Sequence, residues 1–130
     1  MSVMNNADIA KLLQEVKAYL GITWIDEDND NLLRSYIRMS AKRLESIFGG
    51  DLNFIDGEES YDVLAHELLL NRVFYQREKA LDDFDGNYRG ELLTLRNLGK
   101  IKRMIIEIYE IDRKSLMMVL LTFLLQKKEF

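Results

Sequence analysis

The most site-like stretch of the chain is an acidic run in which Asp26, Asp28 and Asp30 alternate with other residues. Alternating carboxylates supply positions 1, 3 and 5 of an EF-hand calcium loop, which also needs a glycine at position 6 and a bidentate acid at position 12. Counted from Asp26, these two positions hold Asn31 and Ile37. Because both requirements fail, the sequence predicts no calcium site here.

The same acidic run is typical of the start of a helix. Asp28, Asn29 or Asp30 is expected to be the N-cap, and the other acids then lie near the positive end of the helix dipole. Trp24 lies just before this start, in a short segment between two predicted helices. It is either a lid on the core or a contact anchor, and we expect the core because aromatic side chains dominate core burial.

His66, the only histidine, is the next candidate for chemistry. A zinc site or a base–nucleophile pair needs partner residues, and none is recognisable by spacing. The chain contains no cysteine, so thiolate ligands and cysteine nucleophiles are excluded. It also lacks the glycine-rich phosphate-binding motifs. We therefore expect a structural or interface role for His66, and we predict no catalytic, metal or cofactor-binding residue and no enzyme activity.

The charge of the chain argues against a surface built to grip nucleic acid. The formal net charge is −4 and the pI about 5.1, so an overall basic footprint is missing. The cluster of Lys100, Lys102 and Arg103 is more typical of a solvated face than of a phosphate site. A small helical DNA-binding protein of a phage or bacterial regulatory kind stays an alternative, because one predicted helix is rich in basic residues. They are Arg34, Arg38, Lys42 and Arg43.

The elements that must position these residues are predicted to be helices. The chain has 130 residues, 48% of them hydrophobic, and no proline. Apolar residues recur at helical spacing over about 9–20, 28–48 and 60–81, which predicts an all-α fold. Asp8 is expected as an N-cap or first-turn acid. Gly21 is expected as the C-terminal stop of the first helix, and Gly49 with Gly50 as that of the second.

Two of the predicted helices have apolar residues that set expectations about packing. The stripe of the second helix comprises Leu32, Leu33, Tyr36, Ile37, Ser40, Leu44, Ile47 and Phe48. The third helix is apolar on more than one face, which suggests that it packs centrally or meets another subunit. Its apolar residues are Val63, Leu64, Leu68, Leu69, Leu70, Val73 and Phe74.

After the third helix the sequence predicts a turn at Asp85-Gly86-Asn87 and a short helix from 91 that stops near Gly99. Residues 101–111 fit either a helix or a strand, and Asp112 or Ser115 is expected to begin a final helix. The apolar run 116–125 is about half of the roughly 20 residues needed to span a bilayer. A helix of this kind either docks on a partner or folds back into its own subunit.

Three segments of the chain, in their order and spacing, resemble the phage head–tail connector family, the small helical adaptors of long-tailed bacteriophages. The opening "LLQEVKAYLGI" with "NDNLLRSYIRMSAKRLESIFG" is similar to the family's first helices. "AHELLLNRVFYQREKA" resembles its central helix, which ends in an aromatic and an Arg-Glu pair. "YRGELLTLRN" resembles its closing element. The similarity covers about residues 7–97, although the proline that often precedes the central helix is absent.

The residues after 97 predict a C-terminal apolar helical extension, 98–130, which is longer than expected of the family and takes no role from it. For the rest of the chain, the resemblance implies a compact bundle of about four helices in residues 1–97. It implies a structural virion protein of the neck, made in the host cytoplasm, without a membrane partner. It implies a ring, twelve-fold like the portal vertex, that binds the portal protein and the downstream head-closure (stopper) protein and lets genomic DNA pass without specific binding. Independently of the resemblance, the apolar residues of the extension predict that it docks on the neighbouring subunit or the portal, because a helix that is apolar all round is buried. The residues expected at subunit or portal contacts are Tyr75, Arg77, Tyr88, Arg89, Leu92, Leu95, Arg96, Ile105, Ile108, Leu116, Leu120, Phe123 and Leu124.

Overall fold

The computed structural model describes residues 4–128, with side chains described for 4–126. It is 81% helical, and the described residues form five helices and no strand. This confirms the predicted all-α class and small helical bundle. The helices are α1 (Asn6–Leu20), α2 (Glu27–Phe48), α3 (Ser60–Arg77), α4 (Leu81–Asn87) and α5 (Arg89–Lys128).

Helix α1 begins after Asn5, whose side-chain oxygen accepts a hydrogen bond from the Asp8 backbone N–H at 2.8 Å. Asp8 is therefore the first-turn acid of the two predicted alternatives, and not the N-cap. The helix ends at Gly21, as predicted, because this residue takes the left-handed conformation (φ 72°) that glycine adopts without steric cost.

Helix α2 is capped by Asp26, so the prediction of a cap at Asp28, Asn29 or Asp30 was wrong. Asp26 is the last residue with extended backbone, and its Oδ1 accepts hydrogen bonds from the N–H groups of Asp28 (3.1 Å) and Asn29 (3.3 Å). An acceptor at this position satisfies amides that the helix itself leaves unpaired. The helix ends at Gly49, as predicted.

The core lies between α1, α2 and α3 and is closed by residues of α4 and the first turns of α5. Leu32, expected in the buried stripe of α2, is exposed, and Ala41 is buried instead. Val63 and Phe74 of α3 are also exposed, so part of its broad apolar coverage faces outward. The buried cluster comprises Leu12, Leu13, Val16, Ile22, Leu33, Ile37, Ala41, Leu44, Phe48, Leu52, Phe54, Ala65, Leu68, Leu69, Val73, Phe84 and Leu95.

The predicted turn at 85–87 is wrong, because these residues lie in α4. Helix α3 ends at Arg77 rather than near 81, and Lys79 takes a left-handed φ of 57° in the short link that follows. The signal that overrides the turn-forming residues is Phe84, which is fully buried and packs between aromatic rings of α3 and of the residue before α5. Tertiary packing therefore decides the structure of a segment whose local preference is a turn.

Gly99 does not stop a helix, as the sequence predicted, but lies inside α5. A Cβ at this position would lie 1.8 Å from the carbonyl oxygen of Phe48, the last residue of α2. The glycine therefore permits close approach of the two helices. Helix α5 continues through residues 101–111, which settles the open choice between helix and strand, and no new helix begins at Asp112 or Ser115.

The chain divides into two compact units, residues 1–99 and 100–130. The sequence placed the division between 97 and 98. All members of the buried cluster, and the half-buried apolar residues packed against it, lie between Met4 and Leu98. The first unit therefore contains a core built entirely from its own residues.

Candidate functional site: interaction surfaces

The C-terminal part of α5 carries the largest set of exposed apolar side chains among the described residues. Their exposed fractions run from 47% to 67%. We call this set, within residues 101–125, the apolar helix. It comprises Ile101, Met104, Ile105, Ile106, Ile108, Tyr109, Ile111, Leu116, Met117, Met118, Val119, Leu120, Leu121, Phe123, Leu124 and Leu125.

The apolar helix changes character along its length. At 100° per residue, Ile101, Met104, Ile108 and Ile111 lie on one stripe, and charged residues occupy most of the remaining surface up to residue 114. From 116 to 125 the side chains are apolar on every side. Even the one hydroxyl in this run is paired within the helix, since Thr122 Oγ1 donates to the Met118 carbonyl at 2.9 Å.

Exposed apolar surface of this extent marks a place where a protein contacts something else. The described residues form no helix that is both long and apolar enough to cross a membrane. Six of the predicted contact residues lie on the apolar helix and are exposed, as a contact would require. They are Ile105, Ile108, Leu116, Leu120, Phe123 and Leu124.

The other predicted contact residues lie in the bundle, and one of them needs correction. Leu95 is fully buried in the core cluster, so it offers no surface to a partner. Its predicted interface role is wrong because the closing helix turns this side chain inward. Arg89 and Arg96 are exposed, whereas the remaining four are half-buried. These four are Tyr75, Arg77, Tyr88 and Leu92.

Tyr75 and Tyr88 belong to an aromatic cluster that holds α4 in place. The Phe84 ring lies 5.7 Å from Tyr75 and 4.8 Å from Tyr88, and Asn87 Nδ2 donates to the Tyr75 hydroxyl at 3.1 Å. Burial, and then the neighbouring Tyr75, raise the pKa of the Tyr88 hydroxyl. These contacts fix the position of the residues that follow on α5.

A shallow groove of about 330 Å³ runs beside this cluster, between the end of α2, α4 and the start of α5. We call it the arginine groove. Its apolar lining residues, which we call the floor, are Ile47, Leu92 and Leu93. Its charged lining residues, which we call the rim, are Arg43, Asp85, Arg89 and Arg96. In the sequence, Arg43 belongs to the basic residues of the DNA-binding alternative and Asp85 to a predicted turn. Only the packing of three helices brings the two residues together.

The segment that links α1 and α2 carries the most exposed large apolar side chain among the described residues of the bundle. Ile25 is 91% exposed, and the preceding Trp24 is 55% exposed. The expectation that Trp24 lies in the core was therefore wrong. The short link leaves only Ile22 buried before the cap at Asp26, so the next apolar residues project outward.

The polar residues that first suggested chemistry have structural contacts. Asp26 binds backbone amides, and the Asp30 carboxylate pairs with Lys17 in a buried position, with Nζ 3.1 Å from Oδ1 and 3.3 Å from Oδ2. His66 Nε2 contacts a carboxylate oxygen of Glu15, which links α3 to α1. Within the described residues, no group of three or more His, Cys, Asp or Glu side chains is arranged to hold a metal ion.

Comparisons of the chain with known protein families, with curated proteins and with solved structures found no significant match. The resemblance to head–tail connectors therefore stays a hypothesis that depends on the three sequence segments. The surfaces described above are the physical basis for a function.

Proposed function

We propose that the protein is a structural adaptor of the head–tail connector kind, which assembles as a ring on a portal and joins the head to the next component of the neck. The observation that carries the proposal is the apolar helix, which follows a bundle with a core of its own. In this proposal the bundle forms the body of the ring, and the apolar helix docks on a neighbouring subunit or on the portal.

The energetics of docking depend on how much of the apolar helix is buried at once. Fully burying one large apolar side chain stabilises by about 1.5–3 kcal/mol. Because these side chains are already partly covered, about 1 kcal/mol each is a suitable estimate. Ten of them then contribute about 10 kcal/mol, which is comparable with the roughly 4–15 kcal/mol that association costs in lost freedom. Firm docking therefore needs most of the helix at once, which a preformed assembly provides better than an isolated copy.

The charge of the protein is compatible with a channel that DNA crosses. A net charge of −4 does not favour retention of a polyanion, because affinity for DNA comes largely from neutralised phosphates. Basic side chains are nonetheless present on the surface, so the ring would not repel DNA uniformly.

The test of this proposal is removal of the apolar helix. The cut is best placed after Lys100, because Leu98 packs against the core and Gly99 meets Phe48. We expect the shortened chain to stay helical, to unfold cooperatively and to lose binding to the portal protein encoded in the same genome, as measured by circular dichroism and native mass spectrometry. If the shortened chain unfolds, the helix belongs to the subunit core and the proposal is wrong.

A matched pair of full-length variants separates docking from general effects of charge. The triple variant Leu116→Lys, Leu120→Lys and Leu124→Lys places three charges on the apolar helix. The control variant, Glu110→Lys with Asp112→Lys, adds positive charge at positions that are already charged and exposed. We expect portal binding to be lost in the first and retained in the second. Equal binding by both variants would contradict docking by the apolar helix.

One observation favours a second candidate, a DNA-binding protein. Arg38 and Lys42 are exposed and one helical turn apart on α2, in line with the half-buried Arg34. Such a row can follow a phosphate backbone. A measurement of duplex binding across a series of salt concentrations decides between the two, because binding through phosphates weakens steeply with salt. If the double variant Arg38→Ala with Lys42→Ala loses affinity for duplex DNA, the DNA-binding candidate is favoured over the adaptor.

A further inference from the structure

We propose that the segment carrying Trp24 and Ile25 in one copy of the protein docks into the arginine groove of the next copy. The contact rests on the proposed function, because it supplies the side-to-side joint that a ring of identical copies requires. It concerns the bundle only, and it is separate from docking by the apolar helix.

The inserting element consists of two exposed apolar residues followed by acidic residues. Ile25 is almost fully exposed and Trp24 more than half exposed. Glu27 and Asp28 follow in the first turn of α2, and both are exposed. Tryptophan is enriched among the residues that dominate binding energy at interfaces, particularly where it enters a pocket on the partner.

The receiving element has the complementary pattern. Its floor is apolar, with Leu93 46% exposed. Its rim carries three arginines and one aspartate, which gives a net positive charge. Within the described residues, Arg43, Arg89 and Arg96 form no ion pair, so their guanidinium groups are available to carboxylates. Arginine binds a carboxylate through two parallel hydrogen bonds, which orients the partner as well as holding it.

The two elements cannot meet within one copy, because they belong to opposite ends of α2. Asp26 caps its first turn, whereas Arg43 and Ile47 lie in its last turns. At 1.5 Å per residue, about 26–32 Å of helix separates Asp26 from these two residues. When a surface at one end of a copy binds a different surface at the other end of the next copy, the contact is heterologous. Repeated heterologous contacts form a ring if the rotation from copy to copy closes on itself.

The contact is small, and its size limits how strongly two isolated copies associate. Two apolar side chains and a few ion pairs bury far less than the roughly 1,200–2,000 Å² of a stable interface. Isolated copies are therefore expected to associate weakly through it. A portal that already holds copies side by side raises their effective concentration, and the weak joint then becomes sufficient.

Disulfide trapping tests the contact directly, because the natural chain contains no cysteine. Full-length protein carrying both Ile25→Cys and Leu93→Cys is oxidised mildly and run on a non-reducing gel. We expect a ladder of dimers, trimers and larger species, since each copy has one donor and one acceptor position. An intramolecular bridge is excluded by distance, because bridged Cα atoms lie within about 7 Å of each other.

Single-cysteine variants show whether the contact is head-to-tail. Ile25→Cys alone and Leu93→Cys alone are expected to stay monomeric, whereas their mixture yields a dimer and nothing larger. Val63→Cys, on an exposed position of α3 outside the groove, is the control partner for Ile25→Cys and is expected to give no dimer. Cross-linking of Ile25→Cys mainly to itself, or equally to Val63→Cys, would overturn the proposal.

Charge reversal tests the role of the rim. Arg89→Glu with Arg96→Glu in the Leu93→Cys copy is expected to slow trapping by about tenfold or more, as loss of close charge pairs does at other interfaces. Glu27→Arg with Asp28→Arg in the Ile25→Cys copy is expected to restore it. If the groove instead traps Leu120→Cys of a second copy at a higher rate than Ile25→Cys, its occupant is the apolar helix and the proposed contact is wrong.

The outcomes distinguish this inference from the proposed function. Trapping requires no portal, so a chain that binds portal but is never trapped refutes the contact alone. A chain that is trapped as expected but binds no portal supports the contact and contradicts the adaptor role.

Discussion

Substitution of Gly99 by alanine tests the close packing of α5 against the end of α2. The added Cβ would lie 1.8 Å from the Phe48 carbonyl oxygen, 2.8 Å from its carbonyl carbon and 3.0 Å from a ring atom. The first of these is 1.6 Å short of the 3.4 Å at which ordinary contact begins. Because the nearest atom belongs to the backbone, no side-chain rotation relieves the clash, and α5 must move away from α2.

We expect Gly99→Ala to destabilise the protein, whereas Gly→Ala inside a helix usually stabilises it. Gly→Ala inside a helix normally stabilises by about 1 kcal/mol, through helix propensity. Overpacking of a close contact costs about 1–3 kcal/mol and occasionally more, and a clash with backbone belongs at the upper end. We expect a net loss of about 2 kcal/mol in the free energy of unfolding, or a Tm about 8 °C or more lower for a unit of this size.

Urea and thermal unfolding followed by circular dichroism measure this loss. Gly90→Ala is the matched control, because Gly90 lies in the same helix and its added Cβ meets nothing within 4 Å. We expect this variant to be as stable as the natural protein or slightly more stable. If Gly99→Ala is as stable as Gly90→Ala, then α5 does not approach α2 as closely as the structure shows.

Two further predictions concern polar residues at the start of α2. Asp26→Ala removes the cap of the helix and is expected to cost about 1 kcal/mol in urea unfolding, whereas Glu27→Ala, at the next residue, is expected to change the stability by only a few tenths; equal effects would contradict the capping role. Asp30→Ala leaves the buried Lys17 ammonium without its partner and is expected to cost about 3–5 kcal/mol. The double variant with Lys17→Met is expected to recover much of that loss, and additive costs would contradict the coupling of the pair.

Much of the bundle could be predicted from the sequence because its signals are local. Gly21 and Gly49 end helices as predicted, since a left-handed residue is required there. The prediction failed where a distant contact overrides a local preference. Gly86 and Asn87 favour a turn, but burial of Phe84 makes their segment helical, and Gly99 is explained only by the carbonyl of Phe48 on another helix.

The surfaces were predicted less well than the helices for a similar reason. The apolar residues of 116–125 could be identified from the sequence as a segment that must be covered, either by a partner or by its own subunit. The arginine groove could not, since its lining comes from α2, α4 and α5, and no spacing in the sequence relates Arg43 to Arg96. Trp24 was misplaced because a short link between helices does not indicate which of its side chains turn inward.

The short helix α4 has a consequence for the order in which the protein folds. Seven residues without a side-chain cap are too few to be helical alone, because nucleation is unfavourable and isolated helices need about 12–15 residues. We therefore expect α4 to form only together with the packing of Phe84 against the ring of Tyr75. Asp85 would take its position at the same step, so the arginine groove would be complete only once α4 has packed. A copy still in the process of folding would thus present an incomplete receiving surface, which favours the joining of finished subunits.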